Sequence, residues 1–412
     1  MASTPASYQL MCTTKSLTQS HWAASFRWCW LTVMVDGSLE VIGSEEEVAW
    51  LPTLIAISTA AAPITGFQLA AVQKRIFFTA HQQPSARLAS NGCPVDGAHN
   101  CTEAKTKFTA SQSNRFLTLG GYSRYGANVI EQFTLKGSNQ SNTKILQNTL
   151  LRERIGHVSE VLPDGTVVAA GGYDLKNNST LTTEFFRLSS PFSVPGPHLN
   201  EPRRNPNSAV LNGKMCVCGG RDRNLEPIKS CECLEVEEGA WKLMAPMQVK
   251  RTCMGMTEHR GSLFVFGGRY DKGGRGVTGL VEKFDPSQNS WQIVSRSTPS
   301  YGSAAVSNGE FIYICGGHVY VDGFPTYSSH CNRYHPATNS WSRNGTVAPM
   351  NHSRAAFKLL SVGQKLLAVG DSRMSVGAIV EEYDIQLNKW TVLSPKLVPK
   401  YQPAVVMLST VY

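Results

Sequence analysis

The feature that most constrains the fold is a motif that recurs. RFLTLGG ends at Gly121, TVVAAGG at Gly172, KMCVCGG at Gly220, LFVFGG at Gly268 and FIYICGG at Gly317. A sixth copy, KLLAVGD, keeps one glycine, Gly370. Successive copies are 51, 48, 48, 49 and 53 residues apart. An apolar strand that empties into glycines can cradle a phosphate, but such a loop occurs once and opens a helix. Here Val277 to Asp285 alternates like another strand. A step of this size holds four short strands with their turns.

The rest of each repeat fits that reading. Asp164-Gly165, Asn212-Gly213 and Asn308-Gly309 are two-residue hairpin turns just before the glycine strand, and Arg260-Gly261 and Val362-Gly363 are weaker versions. After a loop comes a third strand carrying Glu131, Glu184, Glu232, Glu282, Asn332 or Glu381. Two residues on stand Phe133, Phe186, Leu234, Phe284, Tyr334 and Tyr383. Nine residues after the acidic position come Trp241, Trp291, Trp341 and Trp390, with Ile145 and Phe192 as looser substitutes in the first two repeats. Four strands cannot bury their own faces, so each sheet must stack on a neighbour. A Trp at fixed phase supplies area for that contact. Blades set radially around a channel satisfy these demands. The expected fold is all-β: a six-bladed propeller of four antiparallel strands per blade over residues 112–412. Pro403 to Leu408 closes the ring as the innermost strand of the first blade, in preference to Glu103 to Ala110.

This pattern resembles the kelch repeat. The resemblance rests on the glycine pairs, on VEKFDPSQNSW (281–291) and HCNRYHPATNSW (330–341), and on the APM segments at 245–247 and 348–350. It runs from about Arg115 to Leu408. It implies a propeller and, with no activity attached, a protein-interaction module. No catalytic residues or cofactor are expected: no H-E-x-x-H or G-x-S-x-G motif is present, and the Tyr-Cys-His set of kelch-like copper oxidases and the aspartate boxes of sialidases are missing. A secreted or membrane-linked carbohydrate-active or oxidase-like propeller is the competing class.

The candidate site is a rim of cations. Arg154 with Arg152, Arg204 with Arg203, Arg251 with Lys250, then Arg354 and Lys400 precede the innermost strands, and Tyr301 takes that place in the fifth repeat. In kelch-like substrate receptors such positions grip acidic peptides, and RERIG (152–156) resembles one such rim strand. Loops after the glycines would add Tyr122, Arg124 and Tyr173, then Arg221, Arg269, Tyr270 and His318. Guanidinium groups there would donate paired hydrogen bonds to carboxylates. The expected partner is a protein bearing an acidic segment, in a ubiquitin-ligase or actin-linked setting. The net charge of +9 comes without a dense Lys/Arg run, so no specific nucleic acid is expected.

Eleven cysteines form no regular framework. Cys216, Cys218, Cys231 and Cys233 could converge on zinc or form two disulfides, but Cys218 occupies a position that is apolar in every repeat, so buried thiols are expected. Cys93 and Cys101 would pair only in a secreted chain. Sequons stand at Asn100, Asn139, Asn177, Asn178, Asn344 and Asn351, yet no signal peptide is visible, so a cytoplasmic location is expected. Residues 1–110 do not repeat. They hold a hairpin from Trp28 to Gly43 around Asp36-Gly37, and are otherwise expected to be irregular. The uncharged stretch 48–73 carries Pro52, Pro63 and Gly66, which argues against a membrane helix. FTAHQQPSARLAS (78–90) is too close to the first repeat for a BTB domain.

Overall fold

A computed structural model describes residues 8–16, 25–35, 38–42 and 114–408, apart from 137–139, 191 and 394–396. The chain divides into two units, residues 1–100 and 101–412. In the first, Tyr8–Ser16, Ser25–Val35 and Ser38–Ile42 form an antiparallel sheet in chain order. Val35 pairs with Ser38 across the expected turn. The first hairpin was not legible, because 17–24 (LTQSHWAA) holds no Gly, Pro, Asn or Asp. The stretches 48–73 and 78–90, Cys93, Cys101 and residues 103–110 lie outside the described residues. Among the described residues no helix is long and apolar enough to cross a membrane.

The second unit is a propeller of six four-stranded antiparallel sheets. Ala404–Leu408 pairs with Asn114–Leu119, Ala404 opposite Leu119 and Leu408 opposite Arg115, so the C-terminal strand is the innermost strand of the first blade. The innermost strands of the other blades are Val158–Val161, Asn207–Leu211, Gly255–His259, Ala304–Asn308 and Lys358–Val362. Each touches the next around a closed circle. Blade five carries an extra hairpin, His318–Val321 with Phe324–Tyr327, inserted after its glycine pair.

Apolar clusters lie between blades rather than within them. One joins Ala209, Leu211, Cys216 and Cys218 of blade three to Met256, Leu263, Phe284 and Trp291 of blade four. The indole N–H of Trp291 donates to Ala245 O at 2.9 Å, and that of Trp390 to Ala348 O at 2.9 Å. Both alanines open APM segments, whose Met247 and Met350 pack in the same clusters as the Trp. Each Trp thus locks a blade to the linker leaving the preceding one, burying large apolar area while its one donor stays satisfied. Trp241 donates likewise to Pro197 O, and Trp341 to Ser295 Oγ. Ile145 and Phe192 do not substitute for the missing Trp. Both are exposed; in the first repeat the residue opposite Phe133 is Thr143, and Leu146 rather than Ile145 packs inward.

The expectation of buried thiols is also corrected. Cys216 stands opposite Cys233, Cys218 opposite Cys231 and Cys315 opposite Cys331 on adjacent strands, and all three pairs are disulfides. Direct cross-strand register brings the sulfurs together, and sulfurs bonded in pairs leave no thiolates for zinc. Cys253 is the free cysteine among the described residues.

Candidate functional site

The cations that the sequence places on the rim are mostly inside the molecule. Arg154, Arg203, Arg251 and Arg354 are at most 1% exposed. Each faces the acidic residue of its blade's third strand. Arg154 Nε lies 2.7 Å from Glu184 Oε1, Arg203 Nε 2.8 Å from Glu232 Oε1, and Arg354 Nη2 2.6 Å from Glu381 Oε1; Arg251 pairs with Glu282 in the same way. Nη1 of each arginine donates to the blade's own carbonyls, such as Gly171 and Thr182 for Arg154, or Gly267 and Leu280 for Arg251. The glutamates also accept backbone N–H groups from the incoming linker: Leu151 on Glu184, Asn200 on Glu232, Gln248 on Glu282 and Asn351 on Glu381. A buried charge persists only when paired and hydrogen-bonded this fully. These four arginines are therefore anchors between blades, not a peptide-binding rim.

Blades one and five vary the theme. In blade one, Lys400 donates to Thr118 and Val129, and burial pushes its amine down to about 8 although Glu131 is near. In blade five the cation position belongs to Ser300, whose carbonyl accepts the N–H of Gly268 as those of Arg154, Arg203, Arg251 and Arg354 accept theirs from Gly121, Gly172, Gly220 and Gly317. Tyr301 comes one residue later than expected. Asn332 takes the place of the glutamate on the third strand, so both charges are missing from the same blade.

Two residues beyond each anchor the chain bends into the left-handed region. Gly156, Asn205, Cys253, Gly302, Ala356 and Gln402 have φ of 57°, 49°, 53°, 70°, 53° and 51°. They line a cavity of about 110 Å³ at the channel mouth. Their backbones join hand to hand: Asn205 N donates to Gly156 O, Cys253 N to Asn205 O, Gly302 N to Cys253 O, Ala356 N to Gly302 O, and Gly156 N to Gln402 O, at 2.6–3.2 Å. Gln402 N alone turns aside, to Asp371 O at 3.4 Å. Asp371 stands where the other blades have their second glycine. Alanine in this region costs about 1–2 kcal/mol, part of which glycine's greater freedom when unfolded offsets. Ala356→Gly is thus expected to stabilise the fold by about 0.5–1 kcal/mol, raising the urea midpoint.

Around this ring lies a mouth of aromatic and cationic side chains. Arg204 stacks on Tyr173 at 3.9 Å, Arg269 on Tyr301 at 3.6 Å, and Arg373 on Tyr327 at 4.0 Å. Tyr301 and His318 stack in parallel at 4.5 Å, and His318 meets Tyr327 at 4.2 Å. The result is a ladder, Arg269–Tyr301–His318–Tyr327–Arg373, that joins blades four, five and six. Burial, with Arg269 and Arg373 at its two ends, lowers His318 to about 4, so its imidazole is neutral at physiological pH. Arg373 has Asp371 at 3.3 Å. Arg204 and Arg269 have no carboxylate within ion-pair distance among the described residues.

Of the expected loop residues, Arg269 and His318 fall in the ladder and Tyr173 beside it. Tyr301 joins them from below, 7% exposed rather than on the surface. Arg221 is occupied by the carbonyls of Leu225 and Lys272. Tyr122 and Tyr270 are exposed, Arg124 folds onto Tyr125, and Arg152 is exposed on the linker into blade two, outside the stacks. Tyr327 and Arg373 were not foreseen. The alternation of VYVDGFPTY around Asp322-Gly323 was the available sign of the hairpin that carries Tyr327.

Comparison with known proteins places these features in context. Residues 190–370 match the profile of the KLHDC2/KLHL20/DRC7 Kelch-repeats domain. Kelch-like protein 36 of Rattus norvegicus is 28% identical over 201 residues, 46% of this chain and 32% of that protein. Beta-scruin of Limulus polyphemus is 25% identical over 254 residues, 56% of this chain and 26% of that protein. The chain spans about a third of the length of the first curated relatives it matches. Among solved structures, that of YjhT superposes with a TM-score of 0.54 at 14% identity, covering 67% of this chain and 97% of that one, a likeness of fold alone.

Proposed function

Because this chain is a kelch-repeat β-propeller, we propose that it is a protein-interaction module that grips an acidic segment of a partner at the channel mouth. The observation that carries this reading is the state of Arg204 and Arg269. Each guanidinium is half-buried, held flat on a tyrosine and free of any carboxylate among the described residues. A stacked guanidinium is already oriented, so less side-chain freedom is lost when it donates to an incoming carboxylate. Each charge-assisted bond contributes about 1.5–3 kcal/mol. Tyr122 and Tyr270 would border the bound segment. The buried anchors take no part. A ubiquitin-ligase substrate receptor and an actin-linked scaffold would both use such a face, and the reading assigns no catalytic step to the chain.

The test uses the full chain and two fluorescein-labelled ten-residue peptides, one alternating Glu with Gly and one Lys with Gly. The acidic peptide should bind, more weakly as salt rises, and the basic one should not. Arg204→Glu with Arg269→Glu should weaken acidic-peptide binding at least tenfold while the melting temperature stays within a few degrees. Equal binding of both peptides, or an unaffected double variant, overturns the proposal.

A further inference from the structure

The hairpin of blade five does more than complete the ladder. Its register places His318 opposite Tyr327, Val319 opposite Thr326, Tyr320 opposite Pro325 and Val321 opposite Phe324. Directly opposed residues share a face, and faces alternate along a strand. One face presents His318, Tyr327 and Tyr320 to neighbouring loops. His318 and Tyr327 stand in the ladder, Tyr327 Oη shares a hydrogen bond with Ser372 Oγ at 2.9 Å, and Tyr320 Oη donates to Gly274 O at 2.9 Å. The hairpin is thereby tied to the loops of blades four and six. The other face carries Val321 and Phe324, which are 50% and 73% exposed. Phe324 and Val321 stand directly opposite each other, and exposed apolar side chains grouped at a ribbon tip mark a contact surface.

We propose that this outer face of the hairpin is a second contact for the same partner segment: Phe324 and Val321 take an apolar side chain while Arg269 takes a carboxylate. The inference rests on the acidic-segment reading and adds the partner's composition to it. Val321 lies three residues beyond His318, about 10 Å along an extended strand. The fitting partner is an extended peptide with an aromatic or large aliphatic residue a few positions from an acidic one. Charge fixes its register at the mouth, and apolar burial at the tip adds affinity that salt does not screen.

The experiment again uses the full chain, with the Glu-Gly peptide and a second one in which a central Gly is replaced by Phe. Wild type should bind the Phe peptide about tenfold more tightly, and the gain should survive high salt. Phe324→Ser with Val321→Ser changes only exposed side chains. It should abolish the gain and leave affinity for the plain acidic peptide unaltered. If wild type binds both peptides equally, or the hairpin variant keeps the gain, the hairpin contact is refuted while the acidic mouth stands. If wild type binds neither peptide, both ideas fall.

Discussion

Arg251→Met is expected to remove about 3–5 kcal/mol of stability, read from urea unfolding followed by tryptophan fluorescence. Glu282 would remain fully buried with its charge uncompensated, and the carbonyls of Gly267 and Leu280 would lose their side-chain donor. The exposed pair Lys242–Glu238 supplies the contrast: both side chains stand in water, and Lys242→Met should leave the urea midpoint essentially where it is. Blade five suggests the rescue. There Ser300 and Asn332 stand in place of the ion pair, so Arg251→Ser combined with Glu282→Asn should recover much of what Arg251→Ser alone loses. Recovery in the double variant would show that the penalty comes from the stranded carboxylate. If Arg251→Met proves as mild as Lys242→Met, the anchor role is wrong.

Gly219→Ala is expected to be severe, costing more than about 3 kcal/mol or yielding little soluble protein, and Gly261→Ala mild at about 1–2 kcal/mol. Both glycines are left-handed, with φ of 60° and 79°, so the dihedral penalty is shared. Their surroundings differ. A Cβ on Gly219 would lie 2.4 Å from the carbonyl oxygen of Arg251, whereas one on Gly261 meets nothing within 4 Å. That carbonyl also accepts the N–H of Gly220 at 3.0 Å, so it cannot withdraw without breaking a link between blades. Parallel thermal melts of the two variants separate crowding from backbone strain. Equal losses would mean that the glycine pairs serve only to turn the chain.

The fold was legible because its main contacts repeat. Trp291 and Trp390, the APM segments and the glycine pairs recur at fixed phase, and closure by 404–408 follows from counting strands. The site was less legible for the same reason. A cation once per repeat reads equally well as a rim and as an anchor. What separates the two is a correlation: the one repeat without an acid on its third strand, at Asn332, also lacks the cation, at Ser300. The ladder left a weaker trace, since Arg269, Tyr301, His318, Tyr327 and Arg373 belong to three blades and one insertion. The disulfides needed register. Only when Cys216 is known to face Cys233, and Cys315 to face Cys331, does sulfur chemistry replace simple burial.

The circle of amides at the channel mouth runs in one direction through five joints and misses the sixth, between Ala356 of blade six and Gln402 of blade one. The covalent gap lies elsewhere, inside blade one, where Ala404–Leu408 is held to Asn114–Leu119 by strand pairing alone. A hoop fastened this way does not share tension evenly: five joints reinforce one another, and the sixth behaves as a latch. Heat, a pulling partner or an advancing protease is expected to find its first purchase on blade one, which borders both openings.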